Sequence, residues 1–110
     1  MSDLAKGQLD LMLLGILHDA PGHGYWVIER LRHGSGGAFD LPEGTVYPAL
    51  HRLEAKGLLA SEWQAVHGRR RRLYRLTGRG LAALAEERSR WEQFVCAVQS
   101  VLAPATASPA

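Results

Sequence analysis

A mainly α-helical domain with one β-hairpin and a long final helix is what this sequence predicts. Three observations carry that expectation. Apolar residues recur at helical spacing over 9–18, 24–32 and 43–56. Two loosely alternating runs, 58–66 and 69–76, flank a His67-Gly68 pair suited to a tight turn. From 78 to 102 an apolar stripe repeats every three or four residues. The length, 110 residues, is that of one domain, and 46% apolar with 22% charged residues is a soluble globular composition.

The first helix, 9–18, is apolar nearly all round: Leu9, Leu11, Met12, Leu13, Leu14, Ile16 and Leu17. Such a helix must be covered on every side, and a small domain has little material for that, so a partner chain is expected to supply part of the cover. Asp19-Ala20-Pro21-Gly22 breaks it. The second helix, 24–32, places Ile28 and Leu31 on one face with Val27 and Tyr25 beside them. The turn His33-Gly34-Ser35-Gly36-Gly37 follows.

The third helix is expected to start in a capping box, Asp40 capping and Glu43 reaching back, with Pro42 in the first turn. It should end at Lys56, with Gly57 as a left-handed cap. Val46, Ala49, Leu50 and Leu53 form its core face. Gly44, Pro48, His51, Arg52 and Ala55 form the opposite face, with Thr45 and Tyr47 on its flanks. Pro48 should bend the helix.

In the hairpin, Leu59 and Trp63 mark one face of the first strand. In the second strand Arg70, Arg72, Tyr74 and Leu76 alternate with Arg69, Arg71, Leu73 and Arg75. An isolated hairpin is barely stable. Trp63, Tyr74 and Leu76 are therefore assigned to packing on the helices while the arginine-rich tip projects. Thr77 is the expected N-cap of the last helix. Its stripe, Leu81, Leu84, Arg88, Trp91, Val95, Val98 and Leu102, alternates steps of three and four, a heptad seam. At roughly 36 Å the helix is too long for the rest of the domain to cover. A second copy in a two-fold dimer is expected to meet it. The Pro/Ala/Ser tail, 103–110, is expected to be disordered.

Charge is uneven. Residues 1–55 carry four bases against seven acids, and residues 56–110 nine bases against four acids. Six arginines and no acid lie within 67–80. Arginine is the better fork for phosphate oxygens and base edges, so this segment is the electrostatic footprint of a nucleic-acid binder. The longest run without a polar side chain, Leu11–Leu17, is far short of a membrane span. No secretory signal is expected, because Asp10 opens the would-be hydrophobic stretch. A single cysteine, Cys96, excludes an internal disulfide framework, and the five histidines show no ligand spacing, so no metal and no cofactor are expected. No nucleophile–base constellation, phosphate-binding glycine loop or pair of carboxylates in an apolar setting is present, so no enzymatic activity is expected. A cytoplasmic location follows from these exclusions.

The order helix, helix, helix, hairpin, long helix is that of a winged helix-turn-helix over 1–76 with a dimerisation helix over 77–102. In that arrangement the third helix enters the DNA major groove and the wing meets the flanking backbone or minor groove. The candidate DNA-binding residues are Gly44, Thr45, Tyr47, His51 and Arg52 on the third helix and Arg69, Arg70, Arg71 and Arg72 on the wing. Trp91, with Arg88 and Val95, marks the seam as either a plain dimer contact or an effector site.

The residues resemble those of the PadR family of bacterial transcriptional regulators, in the short form with one C-terminal helix. The resemblance rests on Gly22-His23-Gly24-Tyr25, on Glu43-Gly44-Thr45-Val46-Tyr47-Pro48-Ala49-Leu50-His51-Arg52-Leu53-Glu54, on Gly57-Leu58-Leu59 and Ser61-Glu62-Trp63, and on the run from Gly68 through the arginines to Tyr74-Arg75-Leu76-Thr77, with Gly80. It covers about residues 8–102. It implies a homodimeric repressor on inverted-repeat double-stranded DNA, relieved by an aromatic or cationic small molecule that can stack between paired tryptophans. The rival expectation is a ligand-binding or protein-interaction module on the same scaffold without DNA binding.

Overall fold

The computed structural model describes residues 3–105. The tail residues 106–110 lie outside the described residues. The elements run α1 (Asp3–Asp19), β1 (Gly22–His23), α2 (Gly24–Gly34), α3 (Glu43–Ala55), β2 (Leu59–Val66), β3 (Arg69–Leu76) and α4 (Gly78–Leu102). The fold class is the expected one: mainly helical, with a wing and a long last helix. The sheet has three antiparallel strands in the order β1-β3-β2 rather than two. The extra strand is two residues long and pairs Gly22 with Tyr74 and His23 with Leu73. A strand that short has no periodicity to betray it.

One core unites the first three helices with the sheet. Leu9, Leu13, Leu14 and Leu17 of α1 meet Val27, Ile28 and Leu31 of α2 and the Val46, Ala49, Leu50, Leu53 face of α3. Leu59, Tyr74 and Leu84 close it from the sheet and from α4. Only Gly80 and Leu84 of α4 are buried. The radius of gyration, 17.1 Å, exceeds the roughly 13 Å of a compact chain this size because α4 projects from the body.

The expected capping box does not form. Pro42 is the N-cap of α3, and no side chain caps the helix. A box from Asp40 would put Leu41 in helical conformation directly before a proline, which the ring disfavours. Leu41 is instead buried in the core, and the Pro42 carbonyl accepts from the Thr45 and Val46 N–H groups at 3.0 and 3.1 Å. The other end of α3 follows expectation. Gly57, at φ 78°, donates to the Glu54 carbonyl, while Leu58 donates to that of Leu53. Those two bonds are a Schellman motif. Thr77 caps α4 as expected, accepting from the Gly80 N–H at 3.0 Å. It also donates to the Gly57 carbonyl at 2.7 Å, joining the end of the hairpin to the end of α3.

Candidate nucleic-acid interface

The wing is built by its turn. His67 and Gly68 both have positive φ, 51° and 75°, the mirror-image turn whose twist suits a two-residue hairpin. That turn fixes the register, Val66 opposite Arg69 and Trp63 opposite Arg72. The wing is then clamped to α3. Ser61 on β2 donates to a Glu54 carboxylate oxygen of α3, and Arg72 Nε donates to Ser61 Oγ at 2.6 Å. The Arg72 guanidinium lies 3.7 Å from the same carboxylate. On the far side the His23 Nε2–H donates to Gln64 Oε1 at 3.2 Å, tying β1 to β2 across β3. Helix and wing are held at a set spacing by charge-assisted bonds.

Between them lies a cleft of about 560 Å³. Glu43, Tyr47 and His51 of α3 form one wall, with His23, Gly24 and Tyr25 at the start of α2. Trp63 and Arg69–Arg72 form the other. The sole carboxylate among the lining residues is Glu43. Arg69, Arg70 and Arg71 are exposed and make no ion pair among the described residues. Gly44 is exposed, and a Cβ there would meet nothing within 4 Å, so the surface before α3 is open to a close-approaching strand. No side chain caps α3, so the Glu43 and Gly44 N–H groups at its start have no side-chain acceptor.

Tyr47 reaches the cleft by lying on Gly24. A Cβ at Gly24 would come within 2.0 Å of the Tyr47 ring, so only glycine permits this placement. Burial raises the Tyr47 pKa, the nearby Glu43 raises it further, and Arg71 pulls it back. The phenol is therefore a neutral donor at physiological pH. Thr45 is half-buried and His51 exposed on the same helix.

Two of the nine candidate residues are held in ion pairs within the chain. Arg52 is bound to Asp10 of α1 at 2.5 Å and does not line the cleft. Arg72 is bound to Ser61 and Glu54. Trp63 corrects the expectation outright. It is 54% exposed rather than packed on the helices. The guanidinium groups of Arg70 and Arg72 lie over its ring, 4.8 and 5.0 Å from the centroid. The register set by the His67-Gly68 turn already places Trp63 opposite an arginine and beside another, so the signal was present. Tyr25, expected beside the core face of its helix, is exposed at the rim of the cleft. His23 enters the site on β1, which the sequence does not reveal, and Tyr25 follows in the first turn of α2.

The seam residues stand apart from this cleft. Trp91 is 39% exposed and stacks on Phe94 with centroids 6.0 Å apart. Trp91 and Arg88 border a second groove of about 440 Å³, whose opposite wall is Leu11, Met12 and Ile16 of α1. Val95 is half-buried on the same helix. Among the described residues no cluster of three or more His, Cys, Asp or Glu could hold a metal ion, and no helix is long and apolar enough to cross a membrane.

The geometry has clear relatives. The family model described as the transcriptional regulator PadR-like family matches residues 13–86. The transcriptional regulator Rv3488 of Mycobacterium tuberculosis is 50% identical over 95 residues, 86% of this chain and 85% of that protein. A PadR family transcriptional regulator from Eggerthella lenta superposes with a TM-score of 0.82 at 32% identity, covering 94% of this chain and 88% of its own. A transcriptional regulator from Clostridium thermocellum superposes with a TM-score of 0.84 at 26% identity, covering 90% of this chain and 97% of its own.

Proposed function

The chain belongs to the PadR-like family of transcriptional regulators, and from that membership we propose that it is a cytoplasmic homodimeric repressor of inverted-repeat operators, opened by a small molecule at the α4 seam. The observation that carries the DNA-binding half is the cleft: four arginines line it against one carboxylate, and three of the arginines lack an ionic partner among the described residues. A polyanion is the ligand that such a surface fits.

In this mechanism the N-terminal half of α3 enters the major groove. Gly44 lets the backbone close in, and the first N–H groups of α3 meet a phosphate. Thr45, Tyr47 and His51 supply donors to base edges or phosphates, and Arg69, Arg70 and Arg71 straddle the flanking backbone. Phosphate contacts set the register and the few α3 side chains read sequence. Arg52 contributes only after leaving Asp10, and Arg72 acts chiefly by fixing the wing to α3.

The second copy is expected on α4 and α1. Trp91, Phe94, Val98, Val101 and Leu102 are exposed on one helix, and the apolar flank of α1 forms the facing groove wall. Two-fold pairing through this surface fixes the distance between the two α3 helices. An aromatic or cationic molecule stacking near Trp91, with Arg88 and Val95 beside it, would act through its different affinity for DNA-competent and DNA-incompetent spacings.

Fluorescence anisotropy against the duplex upstream of the chain's own coding region, with a scrambled duplex alongside, tests this function across a salt series. Tighter binding to the upstream duplex, with log K falling steeply as salt rises, is the expected result. Failure to bind either duplex at low salt would overturn it.

A further inference from the structure

Trp63 lies in the wing wall of the cleft, and neither the core nor the expected DNA contacts use it. It is 54% exposed, yet it is not bare: Arg70 and Arg72 lie over its ring at 4.8 and 5.0 Å. Arg72 is fixed from behind by Ser61 and Glu54. A chain of contacts therefore runs from Glu54 on α3 through Ser61, Arg72 and Trp63 to Arg70 near the wing tip. Cation–π attraction favours each guanidinium over the indole face, and an arginine stem loses several rotatable bonds when it is held there.

We propose that Trp63 is a positioning residue for DNA binding: its indole holds the Arg70 guanidinium, together with Arg72, in the conformation that meets the sugar–phosphate backbone. This rests on the DNA-binding function above and adds a role for a residue that the charge pattern does not mark. The physical gain is pre-organisation. Arg70 has no ion pair among the described residues and would otherwise be ordered only at association, where each long side chain immobilised costs affinity. The indole orders it beforehand while leaving its N–H donors free for phosphate oxygens. The clamp from Glu54 keeps the platform at a constant distance from the Tyr47 wall of the cleft.

Pre-ordering and charge have different signatures. Removing an arginine that neutralises a phosphate lowers the affinity and also flattens the salt slope, by about one unit for each such arginine. Removing the indole leaves every charge in place, so the affinity falls while the slope does not.

The test measures anisotropy salt series for the parent chain, Trp63→Ala, Trp63→Phe and Arg70→Ala, on the upstream duplex and on a random-sequence duplex. Thermal melts confirm that each variant is folded. W63A is expected to bind both duplexes about tenfold more weakly with an unchanged slope, the loss that ordering long side chains at association implies. W63F, which retains an aromatic face, is expected to recover most of that loss. R70A is expected to flatten the slope. W63A binding as tightly as the parent, W63A flattening the slope as R70A does, or W63F binding as weakly as W63A would each overturn the positioning role while leaving DNA binding intact. No binding by the parent at low salt would overturn both.

Discussion

The wing cleft and the α4 seam both expose tryptophan, and they do so on opposite terms. At the cleft Trp63 is exposed under two arginines, in a wall where positive charge outnumbers negative. On α4 Trp91 is exposed on the same helix as exposed Phe94, Val98, Val101 and Leu102, and its ring stacks on Phe94 rather than on a cation. The first surface suits a hydrated polyanion and the second suits apolar protein. Exposure of an aromatic side chain does not identify a partner; the groups in contact with the ring do.

The largest effect should come from the seam. Val98→Asp puts a charge into the surface expected to pair with a second copy, and an unpaired buried charge costs several kcal/mol. Self-association measured by sedimentation should weaken at least about a hundredfold. A parent chain that sediments as a monomer would break the comparison, because the α4 face would then need no cover.

On the cleft side, Gly24→Ala should be the most damaging small change. Its Cβ would fall 2.0 Å from the Tyr47 ring, and overpacking of that kind costs about 1–3 kcal/mol. A fall of several degrees in Tm, with weaker DNA binding, is the expected result. An unchanged melt would mean that Tyr47 moves aside freely. Ser61→Ala should cost less, about 1 kcal/mol, by removing the hydroxyl that joins Glu54 to Arg72. It should weaken DNA binding more than it lowers Tm if the clamp serves the site rather than the fold.

The smallest effect is expected at Glu29, away from both surfaces. The hydrogen bond from Arg32 lowers its pKa, with charge contributions from Arg32 and His33 acting the same way. A lowered folded-state pKa adds stability above the ordinary carboxylate range, and that stability is lost as pH falls through the folded value. Glu29→Gln should therefore lower Tm slightly at neutral pH and leave it unchanged in acid. Glu29 is half-buried, but the side chains of its partners Arg32 and His33 are exposed, so salt should reduce the difference.

Much of the architecture was legible because it is periodic. The helical face of Val46, Leu50 and Leu53, the heptad stripe of α4, the His67-Gly68 turn and the Gly57 and Thr77 caps each follow from local chemistry. What escaped is set by tertiary contact. β1 is two residues held by Tyr74 and Leu73, and it brings His23 to the cleft, with Tyr25 following on α2. The Asp40 box failed because Leu41 precedes a proline and enters the core. Packing on the helices is the expectation for Trp63 because a bare hairpin is barely stable, but the register that places Arg72 opposite it makes a charged neighbour available instead. Of the candidate site, the arginine cluster was visible as composition. Which arginines have partners was not: Asp10, bound to Arg52, lies 42 residues away in sequence.

The most direct measurement compares the salt dependence of DNA binding for the parent, Arg52→Ala and the triple variant Arg69→Ala/Arg70→Ala/Arg71→Ala. The triple variant should show a slope shallower by about one unit for each phosphate that those arginines neutralise, and R52A should stay near the parent, because Arg52 is already bound to Asp10. A triple variant with the parent's slope would contradict the claim that the wing arginines meet the DNA backbone.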